Sequence, residues 1–160
     1  MTIFKVAVAQ AASHPSDAQA STAKAVDLIT QAHQAGASLL VFPEAFLGGY
    51  PKGASFGAPV GMRKPEGRQA YLDYFNNAID LNGPEVEAIA EATRSTGMFA
   101  VIGCIERELG TLYCTVLFFN GAQGLVGKHR KLMPTAGERL IWGFGDGSTM
   151  PVFDLSLIHI

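Results

Sequence analysis

Two cysteines, Cys104 and Cys114, are too few for the disulfide framework of a small secreted protein. Neither stands in a Cys-x-x-Cys pair or near a histidine at metal-ligand spacing, so no structural zinc is expected. Charge is scarce as well. Only 16% of residues are charged, and 14 acidic against 12 basic side chains leave a formal charge of -2, which offers neither a nucleic acid nor an anionic membrane an electrostatic reason to bind. Long apolar runs are missing: the stretch from Phe99 to Ile105 is interrupted by Gly103 and falls far short of the about 20 residues that span a bilayer. The opening Met1-Thr2-Ile3-Phe4-Lys5 carries no basic region followed by an apolar core and a small-residue cleavage site. No membrane span, no secretory signal and a cytoplasmic location are therefore expected. No internal repeat or low-complexity tract occurs. What remains is a chain of 160 residues, 48% hydrophobic, long enough for a single domain that buries roughly two thirds of its unfolded surface.

The apolar residues are ordered along the chain. Lys5 to Gln10 is short, β-branched at Val6 and Val8 and apolar on both faces, which suits a central buried strand. After the breaker Ser13-His14-Pro15-Ser16-Asp17, residues Ala25, Leu28, Ile29 and Ala32 share one helical face, with Gly36 as the stop signal. Leu39 to Phe42 is a second buried strand ended by Pro43, so the opening reads as a parallel strand-helix-strand unit. Pro43 to Gly67 is rich in glycine and proline and has no period, as expected of a long functional loop. Helices are predicted at Arg68 to Ala78 and at Pro84 to Thr96, where Val86, Ile89, Ala90 and Thr93 share a face and Gly97 closes the second. Three strands follow as a meander, Phe99 to Glu106, Leu112 to Phe119 and Leu125 to Lys131, joined at Gly110 and Asn120-Gly121. A Gly-rich loop from Pro134 to Gly147 then leads to one more short strand at Pro151-Val152-Phe153.

Few residues offer chemistry. Glu44 follows an apolar strand at its carboxyl end, where α/β sheets gather ligands and where a carboxylate can serve as general base; from position alone, a glutamate after a strand is more often a solvated loop residue. Along Lys128-His129-Arg130-Lys131 the strand period puts His129 and Lys131 on one side and Lys128 and Arg130 on the other, so no continuous cationic face results. A phosphate loop from Gly121 to Lys128 fails at Ala122 and His129. A lysine at the inner end of a buried strand needs a carboxylate or a reaction, and Glu44 with Lys131 could be such a pair. Glu138 and Arg139 lie in the next loop, where a surface salt bridge is the simplest alternative. Gly143, Gly145 and Gly147 suit either an anion-binding nest or a turn of positive φ. Cys104 and Cys114 sit inside apolar strands as small hydrophobes, and His14, His33 and His159 are isolated.

The segments Val41-Phe42-Pro43-Glu44-Ala45-Phe46-Leu47-Gly48-Gly49-Tyr50-Pro51-Lys52-Gly53, His129-Arg130-Lys131-Leu132-Met133-Pro134-Thr135, Glu138-Arg139 and Trp142-Gly143-Phe144-Gly145-Asp146-Gly147-Ser148 resemble, in order and spacing, the carbon-nitrogen hydrolase superfamily and within it the nitrilases. The resemblance runs from Lys5 to about Leu155. It implies an α-β-β-α sandwich, two sheets packed face to face between helix layers, and a Glu-Lys-Cys catalytic set without metal or organic cofactor. By that resemblance Glu44 is the general base, Lys131 the catalytic lysine and Glu138 the second glutamate that positions substrate and lysine. Attack on a nitrile carbon needs a thiolate, a carboxylate to take the thiol proton and a cation for the charge that develops on nitrogen. The family nucleophile falls beyond Phe153-Asp154, and neither Cys104 nor Cys114 occupies its position. Residues 1–155 are thus expected to be the N-terminal part of one hydrolase domain, with 156–160 a terminus outside the family pattern. The expected activity is hydrolysis of a small-molecule nitrile by a homo-oligomeric enzyme. An amidase of the same superfamily and a non-catalytic fragment are the alternatives.

Overall fold

A computed structural model describes residues 4–59, 61 and 63–155. The expectations for residues 156–160, His159 and Met1-Thr2-Ile3 fall outside the described residues. The chain runs β1 (Val6–Val8), α1 (Ala18–Gln34), β2 (Leu39–Val41), α2 (Pro65–Asn76), α3 (Pro84–Thr96), β3 (Phe99–Glu108), β4 (Thr111–Asn120) and β5 (Gly124–Arg130), followed by a 3-10 turn over Ala136–Leu140. Local chemistry sets the helix ends. The Asp17 carboxylate caps α1 by accepting from the Ala20 N–H at 2.8 Å, and α3 stops at Gly97, whose φ of 69° a side chain would resist. α2 begins before the predicted Arg68 because Pro65 fits the first turn, where its missing N–H costs nothing. It ends before Ala78 because the Asn77 side chain is taken up by the Gly48 carbonyl and the Ala18 N–H.

The five strands lie in sequence order, β1-β2-β3 parallel and β3-β4-β5 antiparallel, so the strand-helix-strand opening and the meander are both present. One face carries Leu40, Ala100, Ile102, Cys104, Leu117 and Phe119, packed beneath Ala25, Ile29 and Ala32 of α1 and Val86, Ile89 and Ala90 of α3. The opposite face carries Val6, Val8, Leu39, Val41, Val101, Val116 and Phe118 and is only partly covered. Where α2 and the following loops reach over it, a second cluster forms from Ala45, Ala78, Ile105, Leu112, Cys114 and Trp142. The fold is therefore mixed α/β, one sheet with helices. The second sheet of the sandwich is not among the described residues.

Two expectations fail. Among the described residues β1 is not central but an edge strand pairing with β2, and Val6 and Val8 are 56% and 76% exposed. Its alternate residues Ala7 and Ala9 face the helices, and no described strand or layer meets the valine side. Pro151-Val152-Phe153 forms no strand. Proline cannot donate to a ladder, and this segment instead lays the Phe153 ring against Phe99 and Phe118, with centroids 5.3 and 5.0 Å away.

The alternation read along β5 holds, and it has a partner the sequence did not disclose. On the helix side Glu106 of β3, 1% exposed, accepts from Thr115 at 2.8 Å, from Lys128 at 2.5 Å and from the Arg130 Nε at 2.9 Å. Arg130 also reaches Glu108 and covers the Tyr113 ring at 3.7 Å. Burial opposes the charge on Glu106, but its hydrogen bonds from Arg130, Lys128 and Thr115 outweigh burial and hold the carboxyl below its ordinary range. The network ties β5 to β3 across β4. Glu106→Ala should cost about 3 kcal/mol, because it strips Lys128 of its carboxylate and leaves Arg130 with Glu108 alone, while both cations keep only partial access to water. Urea unfolding of variant against parent measures it, and a change under 1 kcal/mol would mean the network contributes little.

Candidate active site

Glu44, Lys131 and Glu138 meet. Lys131 Nζ donates to Glu44 Oε1 and to Glu138 Oε2, both at 2.9 Å, so one ammonium lies between two carboxylates brought from distant parts of the chain. The lysine side chain is 27% exposed, Glu44 48% and Glu138 9%.

Each residue is held by its backbone. Past β2 the Phe42 N–H still pairs with the Val101 carbonyl at 2.8 Å; the chain then bulges over the face of Gly103 and rejoins the same edge of β3 through Leu47, whose N–H donates to the Gly103 carbonyl at 3.1 Å. Ala45 takes a positive φ of 53° in the bulge. Gly103 makes room for the bulge: a Cβ there would lie 2.5 Å from the Pro43 carbonyl oxygen and 2.7 Å from the Glu44 Cα. Lys131 continues the β5 ladder through its N–H to the Cys114 carbonyl at 2.8 Å, which aims its side chain away from the Glu106 network. Glu138 closes a capping box on the 3-10 turn, accepting from the Thr135 N–H at 2.6 Å and the Thr135 hydroxyl at 2.9 Å. The Tyr50 hydroxyl donates to its other oxygen at 2.9 Å.

The electrostatics follow from these contacts. Burial works against a charged Glu138, but the Thr135 N–H, Lys131, Tyr50 and the Thr135 hydroxyl bring its carboxyl down to about 2. Burial also works against the Lys131 ammonium, and the hydrogen bonds to Glu138 and Glu44 overcome it, holding its pKa above the ordinary lysine value. Cys114 lies within hydrogen-bond reach of Glu44, its Sγ 3.3 Å from Oε1. Burial and the nearby Glu44 charge push this thiol up to about 12. Cys104 is wholly buried on the helix face and is also raised, chiefly by burial. Both thiols are thus held protonated. A cavity of about 250 Å³ opens beside the cluster, lined by Phe42, Glu44, Gly103, Cys114, His129 and Lys131 among others. A larger one of about 520 Å³ lies beyond Glu138, between the 50–58 loop and the 3-10 turn, and includes neither Glu44 nor Lys131.

Two readings of the loop are corrected. Glu138 forms no surface salt bridge with Arg139, whose Nε donates to the Pro134 carbonyl at 2.9 Å, because the capping box turns Glu138 inward. Gly143, Gly145 and Gly147 adopt no positive φ and build no nest; the first two give way to the Tyr113 ring and the Arg130 backbone. Tyr50, Thr135, Cys114 and Gly103 were missed as site residues. The Thr-x-x-Glu spacing of Thr135 and Glu138 was a legible capping signal. The other three are joined to the site by contacts across the fold, which no local pattern encodes.

An α/β sheet with a carboxylate-lysine-carboxylate cluster at its strand ends defines a protein equipped for proton transfer and for stabilising developing negative charge. The family model described as Carbon-nitrogen hydrolase matches residues 5–160, and the chain belongs to that family. It is 71% identical over 157 residues to Nitrilase blr3397 of Bradyrhizobium diazoefficiens, covering 98% of this chain and 49% of that protein. It is 55% identical over 150 residues to the Aliphatic nitrilase of Sinorhizobium fredii, covering 94% and 48%. The chain thus spans about half the length of the curated relatives it matches, and their names put it in the nitrilase branch of the family. Among solved structures, XC1258 from Xanthomonas campestris, a CN-hydrolase superfamily protein, superposes with a TM-score of 0.68 at 16% identity, covering 91% of this chain and 48% of that one. An amidase from Nesterenkonia sp. gives 0.65 at 17% identity, covering 89% and 48%. These likenesses bear out the fold.

Two outcomes check the geometry. Gly103→Ala forces the Glu44 segment off β3 and should destabilise the protein by about 1–3 kcal/mol, read from thermal unfolding; an unchanged melting temperature would contradict the close packing at Gly103. Because the folded-state value of Glu138 lies below its usual 4.5, its charge adds stability that is complete above about pH 4.5 and is lost as pH falls toward about 2. Carbon-13 NMR of the Glu138 carboxyl should show titration near that lower value, and a midpoint at 4.5 or above would break the assignment.

Proposed function

We propose that the complete protein is a nitrilase that converts an organic nitrile and two waters to a carboxylic acid and ammonia. The observation that carries this reading is Lys131 clasped between Glu44 and Glu138, in a chain 71% identical to a protein named nitrilase. Residues 1–155 are proposed to be the N-terminal part of a single α-β-β-α domain whose second sheet covers the half-open valine face. The nucleophilic cysteine is proposed to come from the half of the relatives that this chain does not span. Homo-oligomeric assembly and a cytoplasmic location belong to the same proposal and rest on the family resemblance. Among the described residues no helix is long and apolar enough to cross a membrane.

In this mechanism Glu44 takes the thiol proton, and the thiolate adds to the nitrile carbon to give a thioimidate. Lys131 faces the nitrogen on which negative charge gathers, while Glu138 keeps the lysine charged and aimed. Water then adds, ammonia leaves, and a second water, activated by Glu44, hydrolyses the thioester and returns the thiol. A positioned base contributes about 10²–10⁴-fold and a lost charge-stabilising donor costs about 10²–10³-fold. In the full-length protein Glu44→Gln and Lys131→Ala should therefore each lower kcat by at least about 100-fold on nitriles, with folding retained. Near-normal ammonia release from either variant removes that residue from the mechanism. Faster turnover of the matching amides than of nitriles would favour an amidase. The 160-residue chain by itself should release no ammonia, since neither Cys104 nor Cys114 occupies the position of the family nucleophile.

A further inference from the structure

Cys114 touches both members of the Glu44–Lys131 pair. Its backbone carbonyl accepts the Lys131 N–H at 2.8 Å, and its thiol lies 3.3 Å from the same Glu44 oxygen, Oε1, that accepts the Lys131 ammonium. Among the described residues the hydrogen bonds to this carboxylate all end on Oε1. Glu44 is half-exposed at the edge of a cavity and has three side-chain torsions, so a single contact to a long lysine would leave its carboxylate mobile. Cys114 is 6% exposed and rooted in the middle of β4, opposite Ile105. It is the more rigid of the two donors.

We propose that Cys114 is a positioning residue for the reaction: its thiol donates to Glu44 Oε1 and, with Lys131, clamps that oxygen so that Oε2 is the one free to take the nucleophile's proton. This rests on Glu44 being the general base. No bond is made or broken at Cys114, and its proton stays on sulfur throughout. The thiol suits the role because burial and the adjacent carboxylate keep it protonated through the neutral range, so it remains a donor and is a poor nucleophile. An S–H is a weak donor, and losing one hydrogen bond of this kind corresponds to about a three- to tenfold effect.

The test uses the full-length enzyme. Cys114→Ala should lower kcat about three- to tenfold with KM unchanged, and Cys114→Ser, which restores a donor at that position, should recover most of the loss. A residue needed for packing alone would show no such rescue, because the hydroxyl is smaller and more polar than the thiol it replaces. An infrared S–H band assigned to Cys114 by its absence in Cys114→Ser should move to higher wavenumber in Glu44→Ala, a reading that needs no turnover and stands if Cys114→Ala does not fold. Unchanged kcat in a folded Cys114→Ala variant, or an unmoved S–H band, overturns the proposal. Loss of all turnover in Cys114→Ser overturns it differently, by making Cys114 the nucleophile. If Glu44→Gln itself retains full activity, the base assignment falls; if Glu44→Gln is dead and Cys114→Ala is normal, only the role of Cys114 falls.

Discussion

One ammonium group organises the segments that build the candidate site. Lys131 Nζ is partly withdrawn from water and meets two carboxylates at 2.9 Å, and each of the three charges is tolerable where it lies because the others are present. That requirement reaches far along the backbone. Glu44 has to lie over Gly103 of β3, Glu138 has to turn inward on its 3-10 helix, and β5 has to keep its register through its last residue so that the lysine emerges on the right face. The close packing at Gly103, the capping box at Thr135 and the Tyr50 hydroxyl are the local means by which those conditions are met.

The two faces of β5 divide the work. Lys128 and Arg130 turn toward the helices and hold Glu106 in a buried network that joins three strands. His129 and Lys131 turn to the other side, toward the cavity. A period of two residues is enough to keep the Glu106 ion cluster and the Lys131 cluster on opposite faces at one short strand without contact between them. Loss of register by a single residue would exchange the two sets and dismantle both.

Much of this was legible in the sequence for identifiable reasons. α1 and α3 announce themselves by one apolar face and a glycine just past the last turn, and the meander by three apolar runs with short polar joins. The Glu44–Lys131 pair followed from a general demand, that a lysine at the inner end of a strand find a carboxylate. What stayed hidden depends on the third dimension. Val6 and Val8 look like a central strand because periodicity reports which residues are apolar, not how many neighbours the strand has. The alternation along β5 separated Lys128 and Arg130 from Lys131 without revealing that Glu106, across β4, would hold them. Gly103 reads as a flaw in an apolar strand until the Glu44 segment is seen lying over it. Cys114 has the composition of a core residue and the contacts of a site residue.

Counted as charges, the cluster is not neutral. Two carboxylates and one ammonium leave an excess of one negative charge in a partly desolvated pocket, where such an excess is felt more strongly than in bulk water. A neutral molecule entering beside Lys131 meets a strong local dipole and no net repulsion. An anion that came to occupy the same space would meet two fixed like charges against one opposite charge. The three side chains together therefore make this space electrostatically unfavourable for a further anion, although its central group is a cation.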